Sequence, residues 1–176
     1  MDLALTGKTA IVTGASRGIG LATARALAAG GLRVIGAARA ITPALKEVAP
    51  MSVAADLSTP DGAQTVIDTA IAETGGIDIL VNNVGAGDVD KLKLGGFLDA
   101  GDDQWHDLLD LNLFSAVRAS RAALPSLIAR RGALINVSSI SARVPSTGPV
   151  GYSEAKAALK AFGKRLSEEF DPRAYG

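Results

Sequence analysis

An apolar run, Lys8 to Thr13 (KTAIVT), passes directly into Thr13-Gly14-Ala15-Ser16-Arg17-Gly18-Ile19-Gly20 and then into a helical stretch that reaches Ala29. Few patterns restrict a chain so strongly. A strand that turns on glycines into a helix brings backbone close to whatever sits at the turn. The helix N-terminus there favours an anion such as a pyrophosphate. The glycines alone would serve any tight turn; the strand before and the helix after supply the context that a binding role requires.

The same alternation continues along the chain. Arg33 to Ala38 reads as a second strand, Met51 to Ala55 as a weaker third, Ile77 to Asn82 as a fourth and Ala133 to Ser138 as a fifth. Gly30-Gly31 closes the first helix. Thr59-Pro60 starts another, with Thr as cap and Pro at the first helical position, and Gly75-Gly76 ends it. A long helix is expected from about Asp103 to Ala129, kinked late by Pro125, and a last one from about Gly151 to Phe170. Strands alternating with helices indicate right-handed βαβ units. The expected fold is therefore α/β, a doubly wound parallel sheet of Rossmann-like type, as one domain over residues 1–176.

Composition agrees and excludes several alternatives. Apolar residues make up 48% and aromatics 4% of the 176 residues, which suits a parallel sheet packed with small aliphatic side chains. Basic and acidic residues balance at 18 each, so no global field recruits nucleic acid or a membrane surface. With no cysteine and His106 as the one histidine, a transition-metal site is not expected. The N-terminus lacks the apolar region of a signal peptide, and no run approaches membrane-spanning length. A cytoplasmic protein is expected.

Candidate binding residues fall where open α/β sheets hold ligands, at the carboxyl ends of strands. Gly14, Ser16, Arg17, Gly18, Ile19 and Gly20 form the turn after the first strand. The second strand ends Gly36-Ala37-Ala38-Arg39, without the carboxylate that would hold NAD ribose hydroxyls. Arg17 and Arg39 could instead converge on a 2′-phosphate, or stand as two solvated arginines. NADP(H) is preferred to NAD(H). Asp56-Leu57 follows the third strand, where Asp56 could accept from an adenine amino group or cap the loop at Ser58 and Thr59. Asn82-Asn83-Val84-Gly85 follows the fourth, and its asparagines could equally be turn formers.

Tyr152-Ser-Glu-Ala-Lys156, with Ser139 upstream, supplies the chemistry. Tyr152 and Lys156 are neighbours on one helix face. An ammonium beside a phenol favours the phenolate, as a general acid/base needs. Ser139 can hydrogen-bond a substrate oxygen, and Asn112 lies in the long helix within Asp110-Leu-Asn-Leu-Phe114. Singly, each has a plainer reading: a core tyrosine, a solvated lysine, an asparagine bonded to local backbone. Their combination with the glycine turn points to carbonyl chemistry with a nicotinamide cofactor.

On these motifs the chain resembles the short-chain dehydrogenase/reductase family from Leu5-Thr-Gly-Lys8 to the end of the Tyr152 helix. The resemblance implies that Gly14, Gly18 and Gly20 form the cofactor turn, that Asp56 holds the adenine, and that Asn83 lies beside the adenosine ribose, with Leu57 and Gly85 in the same binding set. It implies a tetrad of Asn112, Ser139, Tyr152 and Lys156. Tyr152 would move the substrate proton, Ser139 would steady the carbonyl oxygen, Lys156 would lower the Tyr152 pKa and hold the nicotinamide ribose, and Asn112 would fix a water in the proton relay.

Two features depart from the family pattern. Val84 replaces the usual alanine. The chain also ends at Gly176, before the sixth and seventh strands, the Pro-Gly segment and the substrate-covering region that the resemblance implies. A fragment of a longer protein, or a partner over the fifth strand, is therefore expected. A homodimer or homotetramer would relieve part of the exposed apolar surface. Two functions stay open: a reductase or dehydrogenase for a small carbonyl or alcohol substrate, and a non-catalytic dinucleotide-binding or dimerising remnant. Specificity would come from the loops at 85–102 and 141–150, where Phe97 could pack on substrate or anchor its loop.

Overall fold

The computed structural model describes residues 5–86 and 96–170. Its centre is a five-stranded sheet in the order β3-β2-β1-β4-β5, with every neighbouring pair parallel. The strands are β1 (Thr9–Thr13), β2 (Arg33–Ala38), β3 (Val53–Ala54), β4 (Ile79–Asn82) and β5 (Ala133–Asn136). The chain moves outward from β1 through β2 to β3, then returns to the other side of β1 for β4 and β5. That reversal makes the crevice between β1 and β4 the switch point of the sheet. The expected doubly wound α/β fold is what the chain adopts.

Helices α1 (Gly18–Ala29) and α2 (Pro43–Val48) pack on one face. Ala10, Val12, Val34 and Val81 of the sheet meet Ala24 and Leu45 there. On the other face α3 (Pro60–Thr74) and α5 (Ser115–Arg130) close over Ile11, Ile35 and Leu80. Both sides of β1 are consequently dry, and its five residues are all buried. This is why the strand carries no polar alternation.

The cap read at Thr59 is present: its hydroxyl accepts from the Gly62 N–H at 3.1 Å, and Gly75 takes the left-handed conformation at the end of α3. α2 was not expected. It repeats the Thr-Pro start of α3, with Thr42 as cap and Pro43 in the first turn.

The long helix expected from Asp103 to Ala129 is instead α4 (Asp102–Leu109), a π turn (Asp110–Phe114) and α5. The winding changes at the π turn, and Pro125 lies inside α5, which runs on to Arg130. Two side chains bond carbonyls in this region. Asn112 Nδ2 donates to the Leu108 carbonyl at 3.0 Å, and Ser115 Oγ donates to that of Leu111 at 2.6 Å.

Beyond β5 come two short 3-10 turns, Ile140–Ala142 and Pro145–Thr147, and then α6 (Tyr152–Glu169). Among the described residues β5 pairs only with β4. Its Ile135 is 49% exposed, unlike the inner strands. Residues 87–95 of the loop from Gly85 to Asp102 lie outside the described residues, but Phe97 is described and exposed. No helix among the described residues is long and apolar enough to cross a membrane.

Candidate functional site

At the carboxyl end of the sheet lies a cavity of about 640 Å³. The turn from Gly14 to Gly20 forms one wall, and Arg39, Asp56 and Leu57 form the end beyond β2 and β3. Asn83 and Gly85 follow β4 along its floor, and Tyr152 and Lys156 of α6 close the opposite end. The fold thus brings the binding residues expected from the sequence to one surface, together with two of the four catalytic candidates.

The turn is built by close approach. Gly14 and Gly18 have φ of +65° and +54°, where a side chain is strained. A Cβ on Gly20 would sit against the Gly14 carbonyl and 2.5 Å from Asn83 Nδ2. Asn83 in turn donates from Nδ2 to the carbonyl of Thr13 at 2.9 Å, locking the end of β4 to the turn. Thr13 Oγ1 accepts from the N–H groups of Asn83 and Val84. Asn83 is therefore not a turn former bonded to its own backbone; its side chain bonds the carbonyls of Thr13 and Gly14, about seventy residues away.

These residues suit a dinucleotide. Arg17 caps α1 with no side-chain hydrogen bond, and the first turn carries no acid, so its N–H groups are left for an anion. Space beside Gly18 is open. Arg17 and Arg39 line the same cavity and supply cations near that anion.

Asp56 keeps both of its readings. Ser58 donates to Asp56 Oδ1 from its hydroxyl at 2.7 Å and its N–H at 3.0 Å. These two bonds, with a smaller contribution from Arg39, hold the carboxyl below the usual range. An adenine amino group would have to use the other oxygen.

Lys156 is almost fully buried, and its Nζ donates to the Val137 carbonyl at 3.0 Å. Burial lowers its pKa from 10.5 to about 8. The same Nζ lies 5.8 Å from the centre of the Tyr152 ring. The spacing of four residues along α6 therefore brings the ammonium to the phenol.

Ser139 and Asn112 do not line the cavity; Ser138 does. Ser139 Oγ accepts from the Ser141 N–H at 3.2 Å and lies 2.9 Å from the Ser141 hydroxyl. Asn112 is wholly buried. Its Oδ1 accepts from the Ala86 N–H at 3.0 Å while Nδ2 donates to the carbonyls of Ala86 and Leu108. It still stands at the site's edge, because a Cβ on Gly85 would lie 2.9 Å from both Asn112 Oδ1 and Lys156 Nζ. Its side chain bonds local backbone, as the plain reading held, and also reaches across to Ala86.

Sequence reading missed Thr42, Ala55, Ala86, Leu111 and Val137 on the cavity wall. For Thr42 a signal existed, since Thr42-Pro43 repeats Thr59-Pro60. The others are apolar residues, and sequence alone does not show which of these face a cavity.

The profile of short chain dehydrogenases matches residues 8–174. The 3-oxoacyl-[acyl-carrier-protein] reductase of Salmonella typhimurium is 35% identical over 174 residues, covering 95% of this chain and 69% of the relative. The solved L-sorbose reductase of Gluconobacter frateurii, complexed with NADPH and L-sorbose, is 36% identical with a TM-score of 0.87. That match covers 96% of this chain and 66% of the reductase. An NADH-dependent reductase, A1-R′, complexed with NAD, is 27% identical with a TM-score of 0.87, and the match covers 97% of this chain and 76% of that one. The chain thus spans about two thirds of the first two relatives. With the motifs, the sheet order and the cavity in agreement, this chain belongs to the short-chain dehydrogenase family of oxidoreductases.

Proposed function

We propose that this chain binds NADP(H) and serves hydride transfer between its nicotinamide and a small carbonyl or secondary-alcohol substrate. One observation carries the reading: the glycine turn and the Tyr152–Lys156 pair, far apart in sequence, line the same cavity. The nicotinamide supplies the hydride when bound. In the reducing direction Tyr152 gives its phenolic proton to the substrate oxygen. Lys156 places an ammonium near the phenol, and with a pKa of about 8 it exchanges protons close to neutral pH.

Ser139 is arranged to donate. A serine oxygen has two lone pairs and one hydrogen. The Ser141 N–H uses one lone pair and the Ser141 hydroxyl can use the other. Ser139 can then give its own hydrogen to the substrate oxygen. Asn112 holds the segment at Ala86, beside the catalytic end.

NADP(H) is favoured over NAD(H) because β2 is followed by Arg39 rather than an acid, and Arg17 lines the same cavity. The sorbose reductase complexed with NADPH supports this choice, while the A1-R′ complex with NAD shows that the fold accepts either. A cytoplasmic homodimer or homotetramer belongs to the same reading, its association supported by exposed Phe114 and Ile128 along the π turn and α5.

The test is NADPH binding and oxidation by the 176-residue chain with a panel of ketones and a Tyr152→Phe control. Turnover that depends on Tyr152 supports the reductase reading. A second reading, a dinucleotide-binding or dimerising chain without turnover, is favoured by the exposed Ile135 on β5, which among the described residues pairs only with β4. NADPH binding with no oxidation for any ketone would select it.

A further inference from the structure

We propose that Thr42 is a positioning residue for recognition of the 2′-phosphate. Its hydroxyl clasps the turn that carries Arg17 to the arm that carries Arg39. The inference rests on the NADP(H) reading above.

Thr42 Oγ1 donates to the carbonyl of Ser16 at 3.1 Å and accepts from the Leu45 N–H at 3.2 Å. A hydroxyl has one hydrogen to give. That hydrogen is committed to Ser16, so although Thr42 lines the cavity its side chain has no donor left for a phosphate. Its influence on a bound anion must pass through what it holds.

What it holds is the weak part of the turn. Gly14 and Gly18 flank Ala15, Ser16 and Arg17 in left-handed conformations, and neither glycine has a side chain to pack. Arg17 itself is extended, exposed and without a side-chain cap bond. Ala15 N–H donates to the Ala37 carbonyl of β2 at 3.2 Å, and the Thr42 hydroxyl ties down the next residue. Both ties run to the segment from β2 to α2, which also carries Arg39. Thr42 therefore fixes the two arginine-bearing segments relative to each other.

A dinucleotide without the 2′-phosphate has no group that needs both arginines at once. Loss of the clasp should therefore weaken NADPH and leave NADH nearly unaffected. Cofactor affinities read this directly, without turnover. Dissociation constants for NADPH and NADH, and for 2′,5′-ADP and 5′-AMP, would be measured on the parent chain, Thr42→Val, Thr42→Ser and Lys46→Gly. Thr42→Val removes the hydroxyl at similar shape, and Thr42→Ser restores it. Lys46→Gly softens the exposed middle of α2, matching the helix cap lost in Thr42→Val, with the clasp intact.

The expected result is NADPH and 2′,5′-ADP weakened about 3- to 10-fold in Thr42→Val, the scale of one net hydrogen bond. NADH and 5′-AMP should change by less than about 2-fold on that scale. Thr42→Ser and Lys46→Gly should keep the parent ratio. Equal weakening of both cofactors in Thr42→Val, no change at all, or the same ratio shift in Lys46→Gly overturns the clasp and leaves NADP(H) binding standing. A parent chain with no preference for the 2′-phosphate overturns both readings.

Discussion

Lys156 Nζ donates to the carbonyl of Val137, the first residue after β5, at 3.0 Å. The bond ties the catalytic end of α6 to the strand beside it. It also brings a cation into a nearly closed setting, since the residue is only 3% exposed. One carbonyl does not replace the water that the ammonium loses, so its pKa falls to about 8.

This gives a pH signature for folding. The folded pKa of Lys156 lies below its ordinary 10.5, so above about pH 8 the unfolded chain binds the extra proton. The stabilisation is fully present above pH 10.5 and is lost as pH falls through 8. Urea unfolding from pH 7.5 to 10 should show a rise of about 1–3 kcal/mol from this group. Lys156→Met should lack that rise, and an identical pH dependence in the two proteins would contradict the assignment.

Tyr152→Phe removes the proton donor and leaves the ring. Reduction should fall about 10²- to 10⁴-fold, the usual contribution of a general acid. NADPH affinity should hold, since the turn and the arginines are untouched. Stopped-flow absorbance and fluorescence titration separate the two effects. A Tyr152→Phe enzyme with parental turnover would remove Tyr152 from the chemistry.

Gly20→Ala places a methyl group against the Gly14 carbonyl and 2.5 Å from Asn83 Nδ2. The turn has to move, because the Gly14 carbonyl is backbone and Asn83 Nδ2 is held by its bond to the Thr13 carbonyl. Overpacking of this kind costs about 1–3 kcal/mol. Thermal unfolding should register that loss, and NADPH binding should weaken with it. Gly18→Ala gives the contrast: its added carbon meets open space, but its φ of +54° is strained for alanine. Its stability loss should be the smaller of the two, and the reverse order would contradict the packing described here.

Asn112→Leu keeps the bulk and removes three hydrogen bonds, to the Ala86 N–H and to the carbonyls of Ala86 and Leu108. A buried backbone group left unpaired costs about 1–3 kcal/mol, which applies to the Leu108 carbonyl, while half-buried Ala86 can turn to water. Hydrogen exchange should accelerate at Ala86 and in the π turn before it changes in β1. Parental exchange at Ala86 would mean that Asn112 does not hold this segment.

Much of this architecture was legible because it is local. The apolar runs KTAIVT and IDILVN are buried strands whichever elements cover them, and Thr59-Pro60 specifies its cap within one turn. α2 escaped notice because six residues make less than two turns, too few for a period to show. The π turn escaped because nothing in the residues Asp110 to Phe114 marks a change of winding, and the bonds of Asn112 to Leu108 and to distant Ala86 appear only in the folded chain.

The sequence by itself determined which residue types stand at the carboxyl ends of the strands, since periodicity and turn chemistry act over a few residues. Tertiary structure decided what those side chains bond: Asn83 to Thr13, Thr42 to Ser16, Lys156 to Val137, Asn112 to Ala86. Each pair joins different segments of the chain, and each partner is a backbone group that every residue possesses. Sequence cannot single out one carbonyl among so many. Only packing of the helices on the sheet brings the right one within reach.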